Sequence, residues 1–150
     1  MLYFSYMGRW CIFLFFISFL SCSGEKIVNY DSINIEYRHE IPWYEHKGAP
    51  FTGVALENFS DVKVEHHIKT GLEYKQLGFY STGEKERELF FVDGVKHGKC
   101  TMWWRNGNLL LEETYVDGNL EGAAIRYDSD GNEIEKKNYV NGMLELDVAN

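Results

Sequence analysis

Apolar and polar residues alternate along most of the chain in short runs punctuated by glycine. In Ile33-Asn-Ile-Glu-Tyr37 every second residue is apolar, the period of a strand with one covered face. In Asn108-Leu-Leu-Leu-Glu-Glu-Thr-Tyr115, the residues Leu109, Leu111 and Tyr115 share a face opposite Leu110 and Glu112. Lys99-Cys-Thr-Met-Trp-Trp-Arg105 places Trp103 on one face and Trp104 on the other. Such runs are too short for helices and rich in Trp, Tyr, Phe, Leu and Val, so they predict strands.

The punctuation is periodic. Gly94, Gly98, Gly107 and Gly118 are separated by 4, 9 and 11 residues, and Gly118, Gly122, Gly131 and Gly142 repeat those intervals, a period of 24. Upstream, Gly71, Gly83 and Gly94 outline the same unit one residue short, with Lys75 where a glycine is missing. Gly48 and Gly53 open a more divergent copy that closes at Gly71. Asp93-Gly94, Asn106-Gly107, Asp117-Gly118, Asp130-Gly131 and Asn141-Gly142 are dipeptides that accept positive φ in tight hairpin turns. The expected fold is all-β: an elongated antiparallel meander of stacked β-hairpin repeats of about 24 residues. The repeats fill 41–150, with units at about 48–71, 71–94, 94–118 and 118–142. A lone hairpin is marginal in water, so the units must stabilise one another. Residues 22–40 carry no repeat glycine and are expected to form a tether and a capping strand over 33–37. Glu145 and Asp147 suit the guarding of the last strand edge.

Lys96-His97-Gly98, Trp103-Trp104-Arg105-Asn106-Gly107 and Glu113-Thr-Tyr-Val-Asp-Gly118 resemble the MORN-variant repeat. Pro50-Phe51-Thr52-Gly53 resembles the opening unit of proteins that carry it, a group labelled the YwqK-type antitoxin family. The resemblance covers about 41–144 and implies the hairpin fold. An antitoxin or immunity role is implied by the family label alone, because sites are grafted onto scaffolds. The chain departs from the pattern at Lys75, over 54–70, and at Asp128, where the repeats usually carry an aromatic residue.

The first 21 residues differ from the rest. They hold one charge, Arg9, followed by the 11-residue apolar core Trp10–Leu20. A signal-peptide core needs ~7–15 apolar residues and a membrane span ~20. Phe19-Leu20-Ser21-Cys22 resembles a bacterial lipobox. The resemblance implies removal of 1–21 as a signal peptide, acylation of Cys22 and a lipid anchor at the cell envelope. Ser23 after the cysteine implies sorting to the outer membrane. An uncleaved signal anchor and simple secretion are the competing readings. Cys11 would leave with the leader and Cys22 would carry lipid, so Cys100 would stand alone, without a disulfide, as a small apolar strand residue.

Chemistry narrows the function further. The formal charge of −8 disfavours nonspecific binding to nucleic acid or anionic lipid. His66 and His67 are adjacent, so on a strand they point to opposite faces and cannot easily share a metal. Asp128-Ser-Asp-Gly-Asn-Glu133 superficially resembles a calcium loop, but its glycine falls at position 4 rather than 6, so a simple turn is expected. No nucleophile constellation or phosphate-binding glycine cluster stands out, and Glu84, Glu86, Glu88, Glu112, Glu113, Glu133 and Glu135 fit a solvated outer face. No enzyme, metal or cofactor is expected. The aromatic residues are the candidate partner-binding surface. Phe79, Trp103 and Tyr127 form one column of the repeat, and Tyr80, Trp104 and Asp128 the adjacent column on the opposite face. One column is expected to be the shared core and the other a partly exposed site for a protein or peptide partner. The expected function is therefore an envelope-anchored binding protein. The alternatives are a structural spacer without a tight ligand, or a surface glycan binder.

Overall fold

The computed structural model describes residues 25–146. The chain runs through β1 (Ile27–Asn29), a 3-10 turn (Tyr30–Ser32), β2 (Asn34–Arg38), β3 (Ile41–His46), β4 (Ala49–Pro50), β5 (Gly53–Asn58), β6 (Val62–Lys69), β7 (Leu72–Tyr80) and β8 (Lys85–Val92). It continues through β9 (Val95–Lys96), β10 (Gly98–Trp103), β11 (Leu109–Val116), β12 (Asn119–Leu120), β13 (Gly122–Tyr127), β14 (Glu133–Val140) and β15 (Met143–Leu144). Among the described residues no helix is long and apolar enough to cross a membrane.

A twelve-stranded sheet carries the fold, in the order β1-β5-β6-β7-β8-β10-β11-β13-β14-β15, with β9 and β12 pairing off β8 and β11. It is antiparallel except at one edge, where β1 runs parallel to β5. The all-β hairpin meander is thus present, and it does not close into a barrel. Its turns follow the glycine arithmetic. Thr70, Asp93, Asp117 and Asn141 all have positive φ, each followed by a glycine that also does, whereas at Asn106-Gly107 and Asp130-Gly131 only the glycine does, contrary to the expectation of positive φ at both positions. The 24-residue period extends to irregularities invisible in composition. Register shifts fall at Gly78/Phe79, Met102/Trp103 and Arg126/Tyr127, one per unit. Each is followed by a turn closed twice on the same residue. Tyr80, Trp104 and Asp128 donate their amides to Glu84, Asn108 and Asn132, and accept from Gly83, Gly107 and Gly131.

At Gly98 and Gly122 the positive-φ glycine separates a short strand from a long one. Lys75 occupies the corresponding place in β7 and lacks that freedom, so β7 runs unbroken for nine residues. The mismatch is absorbed by a shift in β6–β7 pairing between His67 and Ile68, which leaves Tyr74 unpaired.

The amino-terminal region departs from the tether expected of it. Residues 33–37 do not cap the long sheet. β2 pairs only with β3, in a separate three-stranded sheet β2-β3-β4, and the long sheet is capped by β1 instead. The small sheet lies over the start of the long one and encloses the core there: Ile33, Tyr44, Phe51, Ala55 and Ile68. Two glycines permit the approach. A Cβ on Gly53 would collide with the Lys26 carbonyl oxygen, which accepts the Val54 amide and holds β1 in place. A Cβ on Gly71 would lie 2.7 Å from the Trp43 ring.

Candidate functional site

The two aromatic columns lie beside one edge of the long sheet, at the strand ends that precede the double-closed turns. Phe79, Tyr80, Trp103, Trp104 and Tyr127 are all half-buried. Neither column belongs to the core cluster, whose sheet residues Ala55 and Ile68 lie on β5 and β6 under β2–β4.

Each column is held differently. Phe79 and Trp103 carry lysine ammonium groups on their rings, Lys63 at 5.8 Å and Lys85 at 5.1 Å from the centroids. Lys63 and Lys85 are the cross-strand partners of Phe79. The same face is laced with ion pairs: Lys75 and Lys85 both bond Glu88, at 2.9 and 3.0 Å, and Lys99 pairs with Glu112. Partial burial would raise the Glu88 carboxyl, but the hydrogen bonds from the two lysines outweigh it and hold the group below its ordinary range.

The second column forms a ladder between units. The Tyr80 hydroxyl donates to the Trp103 carbonyl at 2.7 Å, and the Trp104 indole N–H donates to the Tyr127 carbonyl at 3.1 Å. Each ring therefore reaches from its own hairpin to the next. Asp128, the third member, folds back on its own turn instead and accepts from the amides of Asp130 and Asn132 and from the Asn132 side chain. The aromatic row thus stops at an acid. Hydrogen bonding from Asn132 holds that carboxyl below its ordinary range. Phe59 occupies the equivalent turn after β5 and is 56 % exposed. Arg105 lies 4.8 Å from the Tyr80 ring centroid and pairs with Asp61 at 2.8 Å. Tyr80, Trp104, Arg105, Asn106 and Ser129 line an open recess of about 430 Å³.

A second polar cluster lies under the small sheet. His66 and Glu73 are 5 % and 6 % exposed. The His66 ring nitrogens lie 2.8 Å from Glu73 Oε1 and 3.2 Å from Glu57 Oε2, and the Tyr44 hydroxyl donates to Glu73 Oε2 at 3.3 Å. Tyr30 stacks over the imidazole at 4.4 Å. Burial first, then the Glu73 carboxylate, pushes the Tyr44 phenol far above its ordinary range. His67 turns the other way, toward Glu65 and Glu25. Among the described residues no group of three or more His, Cys, Asp and Glu side chains could hold a metal ion. Cys100 is buried in β10, and burial raises its thiol. Cys22 lies outside the described residues.

Phe59, Arg105 and the Glu57–His66–Glu73 cluster were missed by the sequence reading. Phe59 falls in the irregular stretch 54–70, where no glycine fixes an alignment. Glu73 sits two residues before Lys75, the very place where the repeat pattern breaks, and that break was the available signal. No family model, curated protein or solved structure matches the chain.

Proposed function

We propose that the protein is a non-enzymatic, lipid-anchored repeat protein of the bacterial envelope that holds a protein or peptide partner along its aromatic edge. The observation that carries this reading is the row Phe59, Tyr80 and Trp104, partly exposed at successive turns and flanked by a recess. Tyr and Trp are enriched at interface hot spots, where rigid rings supply contact area at small entropic cost. The MORN-variant resemblance adds an antitoxin or immunity role, with the acidic chain complementing a basic toxin. The anchor rests on the lipobox resemblance of Phe19–Cys22.

A structural spacer is the second reading. It is favoured by the hydrogen bonds that Tyr80 and Trp104 make to the next unit, which give both rings a supporting role. A glycan platform is less favoured on the first column, since lysine groups occupy ring faces of Phe79 and Trp103. Crosslinked pull-down from native membranes, with intact mass on the purified protein, separates these outcomes. A diacyl or triacyl mass lost in Cys22→Ala, with one enriched partner lost in Trp104→Ala, supports the binder. A lipidated protein with no specific partner favours the spacer. An unlipidated protein with its leader intact overturns the anchor.

A further inference from the structure

The spacing of the aromatic row limits what can lie along it. Phe59 follows β5, Tyr80 ends β7, Trp104 follows β10 and Asp128 follows β13. In the sheet order each is two strands from the next. Strands lie about 4.7–4.9 Å apart, so the row repeats about every 9.4–9.8 Å. An extended β-peptide presents same-face side chains about every 6.7 Å. An α-helix advances about 5.4 Å per turn. A polyproline II helix has three residues per turn and rises about 3.1 Å per residue, so every third side chain recurs after about 9.3 Å. Only the last matches the row.

The chemistry of the recess agrees with that geometry. Polyproline II segments leave their carbonyls without internal partners and dock on aromatic grooves. Tyr80 and Trp104 supply the rings of this recess. Arg105 gives one N–H to Asp61 and, as a guanidinium, has further N–H groups to offer a carbonyl. The row then changes character. Its next position is Asp128, with Asp130 exposed beside it, and the low carboxyl of Asp128 keeps it charged at neutral pH. A ligand that matches the row therefore carries a cation where the third ring would be.

We infer that the partner segment is a polyproline II peptide with prolines at every third residue against Tyr80 and Trp104 and a lysine or arginine three residues further on against Asp128 and Asp130. This deepens the proposed partner-binding function and rests on it. The helix crosses the strand ends nearly at right angles to the strands, following the hairpin turns. It takes its affinity from ring contact and preorganisation rather than from adding a strand to the sheet.

The test titrates the full chain in detergent with three labelled peptides of equal composition. The first has prolines at every third position and a terminal lysine; the second has prolines at alternate positions; the third keeps the every-third spacing with its lysine moved to the opposite end. The first is expected to bind at least tenfold more tightly than the second and severalfold more tightly than the third. Trp104→Ala is expected to weaken the first peptide at least tenfold, and Arg105→Ala severalfold. Trp104→Phe keeps a ring and retains most of the binding, which separates lost contact from lost folding; circular dichroism on each variant checks the sheet. Equal binding of the first two peptides, or unchanged binding in a folded Trp104→Ala, overturns the inference. If the membrane pull-down yields a Trp104-dependent partner that lacks such a segment, the polyproline assignment falls and the binding function stands. If neither peptide nor partner binds, both fall.

Discussion

The Tyr80 hydroxyl and the Trp104 indole do the same work one repeat apart, each donating to a carbonyl of the next unit. A net contribution of about 1 kcal/mol is usual for such a bond. Tyr80→Phe leaves the ring and removes the donor, so it should lower the free energy of urea unfolding by about 1 kcal/mol. Glu88 offers a pH signature at the same scale. Its carboxyl is depressed in the folded state by Lys75 and Lys85, despite partial burial that acts the other way. Its contribution is therefore fully present above the unfolded carboxylate pKa of about 4.3 and is lost as pH falls through the lower folded value. In Glu88→Gln the melting temperature should drop at pH 7, and its difference from wild type should shrink on acidification toward pH 3. A constant difference across that range would remove the ion pairs from the account.

Among the elements, the hairpin units are fastened to one another by a device that recurs where the sequence does not. The residue before a repeat glycine accepts the first amide of the next tight turn: Thr52 from Thr70 at 2.8 Å, His97 from Asp117 at 3.4 Å, and Glu121 from Asn141 at 2.8 Å. Three different side chains serve because each needs only an acceptor at one place. Glu121→Ala should therefore loosen the last unit selectively. Hydrogen exchange should rise over 138–144 with little change over 62–69. The parallel edge depends on Gly53 in the same local way. Gly53→Ala sets a methyl group against the Lys26 carbonyl at a positive φ, and should cost more than about 1 kcal/mol while detaching β1. Loss of exchange protection at Val54, whose amide bonds Lys26, would report the detachment.

Over the whole molecule, the main core cluster lies toward one end, with Leu89 and Cys100 buried further along the sheet. The core and the buried polar cluster lie where β2–β4 cover the long sheet, and Tyr44 on β3 reaches Glu73 on β7 there. His66→Ala would leave the Glu73 carboxylate buried beside only Tyr44 and Gln76. Leaving a buried hydrogen-bonding group without its partner costs about 1–3 kcal/mol, so this variant should lose more stability than Tyr80→Phe. Chemical denaturation of His66→Ala beside Tyr80→Phe makes the comparison directly. Toward the carboxyl end the sheet is a single layer, with Ile134, Val140 and Met143 exposed, and each unit relies on its neighbour.

Local chemistry was legible in the residues themselves. The period of 24, the turns and the strand runs follow from glycine spacing, Asp-Gly and Asn-Gly dipeptides and alternation, all of which act within a few residues. That is why the hairpin meander could be read without coordinates, and why Phe79, Tyr80, Trp103, Trp104 and Tyr127 could be sorted into columns. The fold-back of β2–β4, the parallel β1 and the Glu57–His66–Glu73–Tyr44 cluster could not be read that way. Tyr44 and Glu73 are 29 residues apart, and no periodic signal links them. Only the tertiary structure decided that the main core cluster lies toward one end and that both aromatic columns stay half-buried. Covering a sheet face needs a second layer, and where that layer falls depends on contacts distant in sequence.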